Sequence, residues 1–220
     1  MKLFKISTSA DALSSGGESK YISKSGIYDV TINFASVDVS KNGAQSVNFN
    51  IEYNGNSQTI YGPYITDTKQ NPLKIGMQLI NSLGIIAGLT DDDELELETE
   101  THNVGKDNKP QDFTVITQFT DLPIKIRLQE QYSVNPNTKE IRKSMVPKAF
   151  YRQVDGASAA EVINSTEIGI QLEKDKAYAE NITYDGCTAE DVQSWKDSKS
   201  AKPTQPTPAA TKPTGSLFKK

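Results

Sequence analysis

Alternation is the feature that most constrains this chain. Tyr28, Val30, Ile32 and Phe34 trade places with Asp29, Thr31 and Asn33. The same period returns in Val47, Phe49, Ile51 and Tyr53, and again in Ile124, Ile126 and Leu128. Successive side chains of an extended strand point to opposite faces, so such runs read as strands with one face in a core. Lys41-Asn42-Gly43 reads as a turn between the first two strands, and Asn54-Gly55 supplies the left-handed pair of a tight hairpin. Gln58 to Ile65 can return as a third strand, interrupted at Gly62-Pro63. Further strands are expected at Phe113–Phe119, from Ile124 toward Tyr132, and over Glu140–Arg152 with a break at Pro147.

One stretch changes period. Asn71 can cap a helix with Pro72 in its first turn, followed by Leu73, Met77, Ile80, Leu83 and Ile86 or Ala87, with Gly88 closing it. Such a helix suits the end of a β-barrel. Ser158-Ala-Ala-Glu161 is a capping box for a short helix, and Thr188-Ala-Glu-Asp191 a weaker start for one through Trp195. Residues 91–100 hold seven acids and no base, and the polar stretch through Pro110 reads as a long exposed loop. The chain then divides into a loose lead-in (1–25), a domain (26–195) and a tail (196–220). The tail carries Pro203, Pro206, Pro208 and Pro213 among Thr, Ala and Lys, so it is expected to be disordered.

Several chemistries are excluded or weakened. One cysteine, Cys187, allows no internal disulfide, and with His102 the only histidine no four-ligand His/Cys zinc site can be built. A Ser-His-Asp arrangement would have to use His102, in the expected loop. No phosphate-binding glycine loop or zinc-protease motif occurs, and no cofactor is expected. Asp91–Asp93 could hold a divalent cation but lacks the spacing of a calcium loop. A metal-dependent nuclease is the least implausible enzyme, and a non-enzyme is the expectation. There is no apolar run long enough to span a membrane and no signal-like start, so a soluble cytoplasmic protein is expected.

A net charge of -4 counts mildly against nucleic-acid binding, so the distribution of charge matters more than the sum. Between Leu122 and Gln153 seven bases (Lys125, Arg127, Lys139, Arg142, Lys143, Lys148 and Arg152) face only Glu130 and Glu140. Tyr132, Phe150 and Tyr151 are interleaved. Cations neutralise phosphates and flat rings stack on unpaired bases, so this mixture suits single-stranded DNA. The assigned binding set is Lys125, Arg127, Tyr132, Lys139, Arg142, Lys143, Lys148, Tyr151 and Arg152. A solvated strand face, with Tyr132 and Phe150 packed in the core, fits the composition equally well. Tyr53, Tyr61 and Tyr64 read first as core or rim, with base stacking as the second reading. Several strands, one plugging helix and a basic-aromatic face suggest an OB-like Greek-key barrel with short C-terminal helices.

Gly26-Ile-Tyr-Asp-Val-Thr-Ile and Ser40-Lys-Asn-Gly-Ala-Gln-Ser-Val-Asn-Phe resemble the opening strands of the single-stranded DNA-binding proteins of tailed bacteriophages. Ile124-Lys-Ile-Arg-Leu-Gln-Glu-Gln-Tyr, Asn137-Thr-Lys-Glu-Ile-Arg-Lys, Phe150-Tyr-Arg and Asp155-Gly-Ala-Ser resemble their second half. The likeness runs over about residues 24–165. It implies an OB-like domain that coats exposed DNA during phage replication, recombination or repair, in the cytoplasm of an infected bacterium. Many such proteins end in an acidic tail with a terminal aromatic residue; here Gly215-Ser-Leu-Phe218-Lys-Lys220 is basic, which puts acidic-tail recruitment of replication partners in doubt. Leu217-Phe218 could dock on a partner instead, such as a phage replication or recombination protein. The expected binding to oligo-dT weakens steeply with salt. The alternative is a structural or adaptor β-protein of a phage, which would not retard an oligonucleotide.

Overall fold

A computed structural model describes residues 19–105, 107–135 and 138–200. The architecture is mainly β: one eight-stranded, predominantly antiparallel sheet with four helices. The strands are β1 (Gly26–Val39), β2 (Gln45–Tyr53), β3 (Asn56–Ile60), β4 (Leu97–Val104), β5 (Lys109–Ile116), β6 (Leu122–Val134), β7 (Ile141–Arg152) and β8 (Ile182–Asp185). The helices are α1 (Lys74–Ile86), α2 (Ala159–Asn164), α3 (Ile170–Lys176) and α4 (Ala189–Ser200).

β1–β2–β3 form a meander joined by the two expected turns, one at 41–43 with positive φ at Gly43 and one with positive φ at Asn54 and Gly55. The other edge of β1 is shared. Gly26–Ile32 pair with β6, and Ala35 and Ser36 with the end of β5. A short 3-10 turn, Thr117–Phe119, carries the chain from one partner to the next. β6 pairs along its length with β7, and its far end also takes the parallel strand β8. Among the described residues no ladder joins β3 to β7, so the sheet stays open and the closed barrel expected from the sequence is not formed.

The core lies between the meander, β6–β7 and α1: Ile32, Val47, Phe49, Ile51, Ile60, Leu83, Phe119, Ile124, Ile126 and Leu128 are fully or almost fully buried. α1 contributes Ile80, Leu83 and Ile86, and Phe49 meets Phe150 edge-on at 5.4 Å. Pro147 does not break β7. Pairing with β6 continues through it, opposite Leu128, and the irregularity falls at the bulged Lys148.

Several local expectations need correction. α1 begins at Lys74, with Leu73 at its cap and no side-chain cap. Asn71 is used elsewhere: the Asp67 carboxylate accepts from its backbone and side-chain amides at 2.9 Å each. Gly88, with φ +91, closes the helix as expected. The loop assigned to 91–110 contains β4 and the start of β5, paired in register from Leu97–Ile116 to Val104–Lys109. This hairpin pairs with β1 only at its base and otherwise projects as an arm.

Residue 22 is no loose lead-in: Ile22 is buried, and its backbone exchanges two hydrogen bonds with the Gln58 amide, at 2.8 and 2.9 Å. The capping box at Ser158 and Glu161 is present. Thr188 and Asp191 start α4, which runs past Trp195 and includes Lys196 and Lys199, placed above in the tail. Residues 1–18 of the lead-in and 201–220 of the tail, with Leu217-Phe218, lie outside the described residues. No helix among the described residues is long and apolar enough to cross a membrane.

Candidate nucleic-acid interface

The basic strand is largely matched from within. Register places Asp29, Lys125 and Tyr151 in one row across β1, β6 and β7, and Ile27, Arg127 and Ala149 in the next. Lys125 Nζ reaches Asp29 Oδ1 at 2.5 Å. α3 lies over this face and brings Asp175 to both other groups: Arg127 Nη1 lies 3.2 Å from Asp175 Oδ1, and the Tyr151 hydroxyl donates to Asp175 Oδ2. The Arg127 and Asp175 side chains are only 16% and 15% exposed. Burial, then Asp175, push the Tyr151 phenol far above its ordinary pKa. Arg152 donates to Asp155 from Nε at 3.0 Å and Nη2 at 2.6 Å. That contact and the Ala157 amide hold the Asp155 carboxyl at about 2.

On the opposite face of β6, Tyr132 is 1% exposed and its hydroxyl donates to Glu130 Oε1 at 2.5 Å. Lys143 Nζ lies 2.9 Å from Glu130 Oε2 and donates to the Ser23 carbonyl at 2.7 Å. Burial raises the Glu130 pKa, but the Tyr132 and Lys143 hydrogen bonds more than offset it, and the net shift is downward. Tyr184 from β8 stacks on Tyr132 at 6.1 Å and Trp195 from α4 meets it edge-on.

Tyr132 and Tyr151 therefore have no face for a base, and the stacking roles assigned to them are corrected. Lys125, Arg127, Lys143 and Arg152 are held by internal carboxylates. Lys139, Arg142 and Lys148 are exposed, with no ion-pair partner among the described residues. Lys148 has its pKa lowered by partial burial and by neighbouring Arg127. None of these three cations lines the recesses described here.

A groove does exist at the other end of β1, and a bulge makes it. Ile32 stands opposite Ile51, but Phe34 stands opposite Asn50, so Asn33 is the extra residue. A bulge re-aims the side chains beyond it. Ala35 and Val37 take over the core face, and Phe34 turns away from it. Phe34 was expected on one face with Tyr28, Val30 and Ile32; it lies under the β4–β5 arm instead. There it stacks on His102 (centroids 4.0 Å apart, planes 14° apart) and packs on Phe113 at 5.0 Å. His102 is therefore part of a strand, its Nε2 2.7 Å from Glu100 Oε2.

The floor beside these rings is amide and hydroxyl: Ser36, Asn48, Asn50 and Thr59. Asn48 donates to Asp38 at 2.5 Å and accepts from the Gly62 amide at 3.1 Å; Asn33 donates to Asn50 at 2.8 Å. Two recesses of about 340 and 300 Å³ share Asp38, Asn48 and Tyr61, and so form one groove with Tyr61 on its divide.

The placement of Tyr61 follows from the chain around it. Gly62 crosses so close to β2 that a Cβ there would overlap the Val47 carbonyl. The chain then bridges Ser46 at Tyr64, and Gly76 of α1 packs directly on the Tyr64 carbonyl. These contacts hold Tyr61 and Tyr64 outward, at 71% and 54% exposure. Tyr53 is half-buried against Tyr28, 5.5 Å away and edge-on, at the opposite end of the meander. It belongs to the packing.

Sequence reasoning missed Phe34, His102, Phe113 and the amide floor. Their signal was faint: the polar Asn48 and Asn50 between Val47 and Ile51 marked a second face of β2 that is also covered. No carboxylate, histidine or cysteine cluster able to hold a metal occurs among the described residues, and Asp93 accepts from Thr90 at a turn. No protein-family model, curated protein or solved structure matches the chain. The likeness to the phage proteins therefore rests on the residues quoted for it alone.

Proposed function

We propose that this protein binds single-stranded DNA without a catalytic step, and that unpaired bases enter the groove between the β1–β3 meander and the β4–β5 arm. The observation that carries the reading is Tyr61: a large ring, 71% exposed, lining the groove with Phe34, Phe113 and the amides of Asn48 and Asn50. Ring faces accept any base, and amides and hydroxyls can pair with base edges that a duplex would hide. The connectivity gives a second support. We read the three-stranded meander, the helix and the β6–β7 hairpin on β1 as elements shared with an OB barrel left open, and β4–β5 as an arm inserted in it. The phage resemblance over about residues 24–165 gives the third, and with it the role of coating exposed DNA in replication, recombination or repair inside an infected bacterium.

The groove is poor in charge. Its lining includes Asp38 and no base, with exposed Lys41 at the neighbouring turn and, on the arm, Lys109 paired with Asp107 at 3.2 Å. Stacking rather than phosphate neutralisation then supplies most of the affinity. Titration of labelled oligo-dT tests this: Tyr61→Ala should weaken binding by about 1–3 kcal/mol, or roughly 5- to 150-fold. Undiminished binding by that variant would remove the groove from the account. The internal pairing of Lys125, Arg127, Lys143 and Arg152 favours a second reading, in which the groove takes a peptide and the protein is an adaptor. That reading calls for no oligonucleotide binding even at low salt.

A further inference from the structure

A second groove, about 640 Å³, lies away from the first, between α1, the turn that follows it and α2. Its walls carry Ile85 and Leu89 from the end of α1, Leu95, and Val162 and Ile163 from α2, with Asn81 and Thr90 as polar members. Gly84 and Gly88 keep the floor low. Ile163 is 64% exposed and Leu95 40%, so both offer apolar surface to a ligand. One rim carries Asp91 and Asp93, at the start of the 91–100 segment that has seven acids and no base. A ligand for this groove needs one or two large apolar side chains with adjacent positive charge.

The chain contains such a segment. Residues 201–220 hold only two large apolar side chains, Leu217 and Phe218, and Lys219 and Lys220 follow them directly. The 16 residues from 201 to 216 after α4 reach up to about 55 Å when extended. That exceeds the roughly 40 Å span of a domain of this size, so the groove is within range. We infer that Leu217-Phe218 docks in the α1–α2 groove of its own chain, with Lys219 and Lys220 against Asp91 and Asp93. Occupancy would cover the exposed apolar patch and tether the lysine-rich tail on this side of the molecule.

Photo-crosslinking of the full-length protein tests this, with a benzophenone amino acid replacing Phe218 and an equimolar mixture of isotopically heavy and light chains. The expected crosslinks join residue 218 to peptides spanning 80–95 or 159–164, within a single chain. Ile163→Glu, at an exposed position, should reduce their yield about tenfold, as loss of an apolar anchor does. Asp91→Lys should reduce it further at low salt than at high salt. Crosslinks spread over the surface, confined to the Tyr61 groove, or formed mainly between heavy and light chains would each overturn the assignment. So would a yield unchanged by Ile163→Glu.

Discussion

The two ends of the sheet teach opposite lessons about charge. Around β6 and β7 the chain concentrates cations and rings, yet Asp29, Asp175, Glu130 and Asp155 meet four of the seven bases, and β8, α3 and α4 cover much of the rest. At the far end of β1 cations are few, yet rings and amides stand open around a groove. A run of bases in sequence reports charge density. Whether that charge is spent depends on residues far along the chain: Asp175 lies 48 positions after Arg127, and Asp29 lies 96 before Lys125.

The strongest way to break this contrast is at Asp175. Asp175→Ala strands the mostly buried Arg127 and leaves the Tyr151 hydroxyl without its acceptor. Removing one partner of such a pair costs about 3–5 kcal/mol, readable by urea denaturation. Loss below about 1 kcal/mol would mean that α3 does not hold the basic strand. Titration with acid sharpens the same point at Glu130. Its pKa is lowered on folding, so it stabilises the fold above its ordinary titration range, and that contribution fades as pH falls through its folded value. The fall in melting temperature between pH 6 and pH 3 should be a few degrees smaller in Glu130→Gln than in the parent protein. Asp155, held at about 2, adds a loss of the same sign in both proteins. The smallest effect is expected at the exposed cations. Arg142→Glu with Lys148→Glu should shift stability by less than about 0.5 kcal/mol per site, and oligo-dT affinity by little more.

How legible this was depended on whether the deciding contact was local. The Asn54-Gly55 turn, the Ser158–Glu161 capping box and the Gly88 helix stop each follow from a few adjacent residues, and each is present. The start of α1 was misplaced because Asn71 could serve either a cap or the Asp67 turn, and its neighbours do not decide between them. β4 was invisible because its acids read as a solvated loop; its pairing with β5 is what makes it a strand. The bulge at Asn33 was invisible too, since it appears only when β1 is set against β2. That one inserted residue separates the expected site from the groove, because it sends Phe34 to the other face.

The salt dependence of oligo-dT binding tests the central claim most directly. For single strands the slope of log K against log salt is about −0.7 per phosphate neutralised. Lys41, joined by Lys109 where a phosphate displaces its Asp107 partner, predicts a shallow slope near about −0.7 to −1.4, unchanged by Arg142→Glu with Lys148→Glu. A slope steeper than about −4 that collapses in that double variant would contradict the account and return the DNA to the basic strand.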